Sequence, residues 1–175
     1  QNGRILGPRA LQTRNRLLDA TRELLSERSV RDISVVEIAR MAETSPATFY
    51  QYFRDVSDVT LQLAEAAAGE MPGVLAHIDG SWRGKRGLET ARNVVRGFVD
   101  HWDAHRSVLL VRNLFADEGD RHFARVRRRS LSPLIERLAA KICENQERGR
   151  IPTDLHPAAA AAAMASILER LAAYH

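Results

Sequence analysis

Apolar residues recur at every third or fourth position along most of the chain, the spacing that places them on one face of an α-helix. Alternating β-branched runs around Asn-Gly or Asp-Gly turns, the usual signs of β-hairpins, do not occur. With 175 residues and an apolar content of 45%, the chain is long enough to build a substantial core. The pattern therefore predicts an all-α fold.

The same pattern predicts where the helices begin and end. Proline and glycine mark the breaks: Met71-Pro72-Gly73 ends the fourth helix, Gly80–Gly87 forms a loop, and Ser132-Pro133 kinks or splits a later helix. Gly149 and Pro152 end that later helix. The predicted helices span about residues 11–27, 34–42, 46–53, 55–70, 88–102, 107–116, 118–149 and 157–175.

Two short helices with strong start signals lie close together near the N-terminus. Ser34 and Glu37 have the spacing of a capping box, which begins the first of them. Ser45 is a good N-cap for the second, and Pro46 occupies its first position, where proline is favourable. A capped helix, a tight turn and a short second helix form the pattern of a helix-turn-helix, whose second helix enters the DNA major groove.

The second helix has one face suited to burial and one suited to DNA. Phe49 and Phe53 lie four residues apart and can pack on the first helix. The other side chains predict three kinds of contact: thymine methyl groups by Pro46 and Ala47, adenine by Gln51, and phosphates by Thr48, Tyr50 and Tyr52. Simple packing is the alternative, since aromatic residues in a short amphipathic helix usually belong to a core.

The segment SVVEIARMAETSPATFYQYFRDVSDV, preceded by TRNRLLDATRELL, resembles the N-terminal head of the TetR family of bacterial regulators. The resemblance covers about residues 13–63. It implies DNA contacts from Arg14 and Ser34 to phosphate, and from Ser45, Pro46, Ala47, Thr48, Tyr50, Gln51 and Tyr52 on the second helix. Two positions depart from the family pattern. Glu43 replaces the turn glycine, and Val56 replaces a lysine whose phosphate contact Arg54 can supply.

The resemblance also implies two domains, with a DNA-binding domain at residues 1–54 and a helical effector-binding and dimerisation domain at residues 55–175. We expect a homodimer, because two heads about 34–36 Å apart can read a palindromic double-stranded DNA operator. We also expect the protein to act as a repressor. The alanine-rich last helix carries the apolar side chains expected at the dimer interface: Met164, Ile167, Leu168 and Leu171. Its alanines are also explained by helix propensity alone.

The middle helices carry an apolar, partly aromatic set of residues suited to lining a ligand pocket. The predicted lining residues are Phe98, Trp102, Leu110, Asn113, Leu114 and Phe123. Asn113, a polar residue in an apolar segment, is the predicted ligand anchor. Core packing remains the simpler interpretation of any one of these residues. As a set they predict a small lipophilic effector.

Arginine supplies nearly all of the positive charge. The first 16 residues contain no acidic residue and four arginines: Arg4, Arg9, Arg14 and Arg16. This composition is typical of an arm that contacts phosphates and equally of a solvated terminus. No apolar run approaches the roughly 20 residues that span a bilayer, and no signal peptide is evident, so we expect a cytoplasmic protein without membrane contact. The chain starts without methionine and ends inside a helical pattern, so we expect the natural protein to continue.

His101 and His105 lie one helical turn apart, a spacing at which two histidines can share a metal ion. Both lie near a predicted helix end, where solvated charge is common, so we predict no metal site and no cofactor. Cys143 is expected to be a small buried residue. A run of five arginines is expected to form one solvated helix face: Arg121, Arg125, Arg127, Arg128 and Arg129.

An enzyme and a helical protein-interaction adaptor are the alternatives to a DNA-binding regulator. The sequence contains no G-x-S-x-G, H-E-x-x-H or glycine-rich phosphate loop, so nothing in it points to catalysis. An adaptor function does not explain why the Tyr50-Gln51-Tyr52 face should be exposed. DNA affinity that falls steeply with salt concentration would separate a regulator from both alternatives.

Overall fold

The computed structural model describes residues 7–174, which fold into seven α-helices. The helices are α1 (Pro8–Glu27), α2 (Val35–Met41), α3 (Pro46–Phe49), α4 (Val56–Leu75), α5 (Gly84–Asp117), α6 (Arg121–Glu147) and α7 (Pro157–Tyr174). Two short 3-10 turns, Val30–Asp32 and Ala76–Asp79, follow α1 and α4. Residues 7–174 contain no strand, so the predicted all-α fold is confirmed.

The N-terminal helices begin where side chains cap them. At Ser34, Ser45 and Asp55, a side-chain oxygen accepts a hydrogen bond from the backbone N–H three residues later. α1 begins at Pro8, three residues before the predicted start. Three of the four arginines predicted for a basic arm therefore lie in this helix, and Arg4 lies outside the described residues.

A first apolar cluster joins α1, α2 and α3 to the N-terminal half of α4. Its side chains include Leu17, Ile38 and Phe49, which are completely buried. The cluster continues beyond residue 54 through Val59 of α4 and reaches Val108 of α5. The predicted domain boundary at residue 54 therefore falls inside one continuous cluster, and α4 belongs to the core of the head as well as to the body.

A second apolar cluster fills the body between α4, α5, α6 and α7. Its largest side chains are Phe98 and Trp102 of α5. The buried alanines of α7, Ala161 and Ala165, lie against the same cluster, and their short side chains allow α7 to pack closely on α6. None of the helices within residues 7–174 is long and apolar enough to cross a membrane.

Two prolines lie inside helices that they were expected to end or split. Pro72 lies within α4, which continues to Leu75, and Pro133 lies within α6. Beyond Pro72 the helical hydrogen bonds continue: the Ala76 N–H donates to the Pro72 carbonyl. The last turn of α4 also buries Val74, and such packing outweighs the hydrogen bond that proline removes. Pro72 therefore does not end α4, and Pro133 does not split α6.

The predicted gap between the fifth and sixth helices is a kink inside one long helix. α5 runs from Gly84 to Asp117, and His105 has non-helical angles (φ −127°, ψ 15°). Because α5 begins at Gly84, the predicted 80–87 loop is shorter than expected. Gly87 then lies so close to Trp82 that an added Cβ would stand 2.6 Å from the Trp82 carbonyl carbon, which only glycine accommodates.

Candidate functional site

The connection between α2 and α3 is a tight turn in which Glu43 has a left-handed backbone conformation, with φ 51°. Glycine adopts this conformation without strain, whereas an L side chain does not. The Thr44 N–H closes the turn by donating to the Ala39 carbonyl at 2.9 Å. The exposed Glu43 carboxylate lies 3.7 Å from the Arg16 guanidinium of α1. The turn therefore places an acidic group beside α3 at a position that suits glycine best.

α3 and the turn that follows it separate buried from exposed side chains. Phe49 and Phe53 are buried in the first apolar cluster, with their ring centroids 5.5 Å apart. Tyr52 is half-buried against the same cluster. The three side chains predicted to contact bases, Pro46, Ala47 and Gln51, are exposed. Tyr50, predicted to contact a phosphate, is 60% exposed. α3 itself ends at Phe49, because residues 50–52 form a turn.

Two arginines predicted to contact phosphates have partners inside the protein. Arg14 donates to the Gln62 side chain, and its guanidinium lies 5.7 Å from the centroid of the Phe53 ring. The Arg54 guanidinium lies 3.4 Å from the Asp58 carboxylate. Either arginine must exchange these contacts to reach a phosphate.

The capping box at the start of α2 holds a strongly stabilised carboxylate. Glu37 accepts hydrogen bonds from the Ser34 hydroxyl at 2.8 Å, the Ser34 N–H at 3.0 Å and the Arg28 guanidinium at 3.0 Å. The bonds from Ser34, and then the one from Arg28, lower the pKa of Glu37 to about 2. The Ser34 hydroxyl is exposed but engaged in this cap, as are the side chains of Ser45 and Thr48 in the cap of α3.

The six residues predicted to line a ligand pocket fall into two groups. Phe98, Trp102 and Phe123 are each 1% exposed. The others line an open cleft of about 530 Å³ between α5 and α7: Leu110, Asn113 and Leu114. The six predicted residues therefore lie in two separate places and do not surround one cavity in this structure. Beyond the kink of α5, other residues form its buried face: Val108, Leu109, Val111 and Arg112.

An ionic network that the sequence reasoning missed lies in the body. The Arg112 guanidinium donates to Glu169 of α7 at 2.8 Å, to Ser130 of α6 at 3.1 Å and to the Asn113 amide oxygen at 3.0 Å. Arg127 of α6 donates to the other Glu169 oxygen at 2.5 Å. Burial lowers the pKa of Arg112 to about 10, which leaves it charged at neutral pH. The hydrogen bond to Glu169 raises the pKa of Arg127.

A groove of about 440 Å³ runs between α4 and α6. Its apolar lining is formed by Ala68, Met71, Pro72, Leu75, Val126 and Pro133. Polar and charged side chains complete it: Glu65, Arg125, Arg129 and Ser130. Four arginines of the predicted solvated face are exposed, namely Arg121, Arg125, Arg128 and Arg129, whereas Arg127 turns towards Glu169. The groove therefore combines an apolar floor with two arginines and one carboxylate, that of Glu65.

The kink of α5 brings two histidines next to a carboxylate of α4. His105 Nε2 lies 2.9 Å from Glu70 Oε2, and the rings of His101 and His105 are 5.0 Å apart at their centroids. Burial, followed by the proximity of His105, lowers the pKa of His101 to about 4, so its imidazole is neutral at neutral pH. The hydrogen bond from His105 lowers the pKa of Glu70.

The outer face of α7 is apolar. Ile167 and Leu171 are 59% and 63% exposed, and Met164 is also exposed. Leu168, the fourth residue predicted for the dimer interface, is half-buried against the second apolar cluster. On α6, Cys143 is exposed, so the expected burial of this residue is wrong. Its neighbour Ile142 occupies the buried face instead.

Two family models match consecutive parts of the sequence. The model described as "Bacterial regulatory proteins, tetR family" matches residues 17–59, and the model described as "Tetracyclin repressor-like, C-terminal domain" matches residues 63–175. An uncharacterized HTH-type transcriptional regulator of Haemophilus influenzae is 37% identical over 65 residues, which are 35% of this chain and 32% of that protein. The chain thus matches about a third of the length of this curated relative.

Solved structures of bacterial regulators share the fold. The regulatory protein TetR of Rhodobacter sphaeroides is 26% identical, with a TM-score of 0.62 over 91% of this chain and 88% of that chain. FadR of Bacillus subtilis in complex with stearoyl-CoA is 17% identical, with a TM-score of 0.68 over 91% of this chain and 84% of that chain. These likenesses extend over both the helix-turn-helix head and the helical body.

Proposed function

The chain belongs to the TetR family of bacterial regulatory proteins, and from that premise we propose that it is a cytoplasmic transcriptional repressor. It binds a palindromic operator as a homodimer and is released by a lipophilic effector. The observation that carries the proposal is the surface of α3, where small and polar side chains are exposed above two buried phenylalanines. A protein adaptor or a small helical enzyme has no need of that arrangement.

The first step of the proposed mechanism is DNA reading by α3. Pro46 and Ala47 at its N-terminal end are small enough to let the backbone approach base edges. Gln51 supplies an amide that can pair with adenine, and Tyr50 supplies a hydroxyl that can donate to a phosphate. Phe49 and Phe53 set the angle of the helix, because their rings are held in the first apolar cluster.

The second step is dimerisation through α7. Ile167 and Leu171 are exposed one turn apart on the same face, and Met164 precedes them by one turn. Covering such a face in a second copy removes apolar surface from water, which favours association. The dimer then holds two α3 helices at a fixed separation, and this separation selects the spacing of the two half-sites.

The third step is effector binding in the groove between α4 and α6. Its volume of about 440 Å³ lies in the range of small-molecule sites, roughly 300–1,000 Å³. The apolar floor suits an acyl chain, and Arg125 and Arg129 suit an anionic head group. FadR of Bacillus subtilis has been solved with stearoyl-CoA, which supports an acyl-type ligand for this architecture.

The groove also explains how binding could reach the DNA. Met71 and Pro72 of α4 line it, and the same helix contributes Val59 to the core of the head. Because α4 is continuous through Pro72, we expect it to move as one rod rather than to pivot at that proline. An effector releases DNA only if it binds better to the head spacing that does not match the operator.

DNA binding is tested by fluorescence anisotropy of the complete protein on DNA from upstream of its own gene, across a series of salt concentrations. We expect sequence-preferring binding of two protomers per site that weakens steeply with salt. The absence of binding at low salt, both to this DNA and in a random-site selection, would refute the proposal.

Effector binding is tested by adding stearoyl-CoA to the preformed complex with DNA. We expect release, and we expect Arg125→Ala and Arg129→Ala each to raise the concentration needed by about fivefold or more, since each removes a charge-assisted contact. Arg128→Ala is the matched control, because Arg128 is an exposed arginine of the same helix outside the groove. An equal effect of all three substitutions would mean that only the general charge of α6 matters.

A further inference from the structure

Three side chains from two helices converge at the kink of α5. Glu70 comes from α4, and His101 and His105 come from α5, where they lie one helical turn apart. One ligating atom from each residue lies within 4.8 Å of the corresponding atoms of the other two. The sequence shows the two histidines but not the carboxylate, which is 31 positions away from His101 in the chain.

Two imidazoles and one carboxylate are a donor set that zinc binds in proteins, usually with water as a fourth ligand. The two histidines also have the i, i+4 spacing with which one helix face supplies two zinc ligands. Ligand atoms bound to one zinc ion stand about 3.3 Å apart, given Zn–N and Zn–O distances of about 2.0–2.1 Å. The 2.9 Å separation of His105 and Glu70 is already close to that value.

A simple hydrogen bond between helices accounts for only part of this arrangement. It needs His105 and Glu70, whereas His101 has no hydrogen-bond partner within residues 7–174. His101 nevertheless lies partly buried beside the other two residues. A ligand shared by all three side chains engages the His101 imidazole as well.

We propose that Glu70, His101 and His105 form a binding site for one Zn²⁺ ion. The ion links α4 to α5 at the point where α5 is kinked, and so fixes the helix that continues into the core of the head. The site lies apart from the groove between α4 and α6, since none of the three residues lines that groove. The proposal does not depend on DNA binding, and zinc binding can be measured without DNA.

The experiment uses the complete protein after removal of metal with EDTA and exchange into chelator-free buffer. Zn²⁺ affinity and stoichiometry are measured by competition with a chromophoric zinc chelator. We expect one zinc ion per chain, and we expect Glu70→Gln and His101→Ala each to weaken binding by roughly tenfold or more. His122→Ala is the matched control and should bind zinc like the wild type, because His122 is an exposed histidine elsewhere, at the start of α6.

Co²⁺ provides a second measurement that needs no substitution. Co²⁺ bound in place of Zn²⁺ should give the intense visible absorption of a tetrahedral ion, which the addition of Zn²⁺ removes. Circular dichroism in EDTA checks that the variants are folded. The proposal is overturned if Zn²⁺ fails to saturate a single site, if Glu70→Gln and His101→Ala bind zinc no more weakly than His122→Ala, or if Co²⁺ shows only a weak octahedral spectrum.

Discussion

The Arg112 guanidinium and the Glu169 carboxylate form an ion pair of 2.8 Å in which both side chains are almost fully buried, 3% and 6% exposed. The pair ties α5 to α7, and Arg127 of α6 joins it through the second carboxylate oxygen. Two positive charges therefore share one buried negative charge, and Arg127 also pairs with the exposed Asp117 at 2.9 Å. The second apolar cluster supplies most of the burial around α7, while this network fixes how the three helices meet.

Glu169→Ala should destabilise the protein strongly. It leaves Arg112 buried without a counter-charge and removes the main partner of Arg127, and breaking a buried ion pair in this way costs about 3–5 kcal/mol. The free energy of unfolding is measured by urea denaturation at one fixed protein concentration, because the stability of a dimer depends on concentration.

The control replaces both partners by apolar side chains. The double variant Arg112→Met, Glu169→Leu leaves a buried methionine in place of the unpaired arginine, so it should be less destabilised than Glu169→Ala. A double variant at least as unstable as the single variant would show that the hydrogen bonds of the network, rather than its unpaired charge, determine the loss.

The sequence predicts the parts of this fold that depend on neighbouring residues. The capping box of Ser34 and Glu37 and the N-cap Ser45 are short-range features, and both occur in the structure. The outcome at Pro72 depends instead on packing against other helices, which the local pattern does not contain. The family resemblance is confirmed by matches that together extend from residue 17 to residue 175.

The body was harder to predict, because its polar contacts join residues far apart in the chain. Arg112 stands in the apolar segment VLLVRNLF, and a charged residue there is a sign of a buried ion pair. Its partner Glu169 is 57 positions away, and nothing in the sequence connects the two. Glu70 and His105 are likewise brought together only by the packing of α4 on α5.

Glu43→Gly should improve the turn between α2 and α3. A left-handed conformation costs an L residue roughly 1–2 kcal/mol, partly offset by the greater freedom of glycine in the unfolded chain, so we expect a gain of up to about 1 kcal/mol in the free energy of unfolding. The loss of the carboxylate also frees Arg16 to approach a phosphate, so DNA affinity should rise.

Glu43→Gln separates these two effects. It removes the charge but keeps a side chain at φ 51°, so DNA affinity should rise as it does for Glu43→Gly while stability does not. Thermal unfolding and anisotropy on operator DNA provide the two measurements. If both variants bind DNA like the wild type, Glu43 lies too far from the phosphates to matter.

The capping box predicts a pH dependence of stability. The pKa of Glu37 is lowered from 4.5 to about 2 in the folded protein, so its carboxylate stabilises the fold at pH values above 4.5. This contribution is lost as the pH falls from 4.5 through about 2. The difference in melting temperature between the wild type and Glu37→Gln should therefore be constant near neutral pH and shrink below pH 4.5. A difference that does not change down to pH 2.5 would contradict the assigned role.

Tyr50 and Gln51 should have different effects on DNA recognition. Tyr50→Phe removes a hydroxyl proposed to contact a phosphate, so binding should weaken about equally on all sequences. Gln51→Ala removes a proposed base contact and should relax the preference at one base position, a change of about 1–3 kcal/mol in discrimination. Anisotropy on a set of singly substituted operators measures both. Equal loss of discrimination in the two variants would show that the roles are wrongly assigned.

The exposed apolar face of α7 predicts the effect of placing a charge there. Ile167→Glu puts a carboxylate into the proposed dimer interface, where its desolvation cost of several kcal/mol should shift the protein to monomers. Analytical ultracentrifugation measures the shift, and DNA affinity should fall with it because a monomer contacts only one half-site. Val95→Glu is the matched control, since Val95 is an exposed valine of α5 and should leave the dimer intact. If Ile167→Glu remains dimeric and Val95→Glu dissociates, the dimer interface lies on α5 and not on α7.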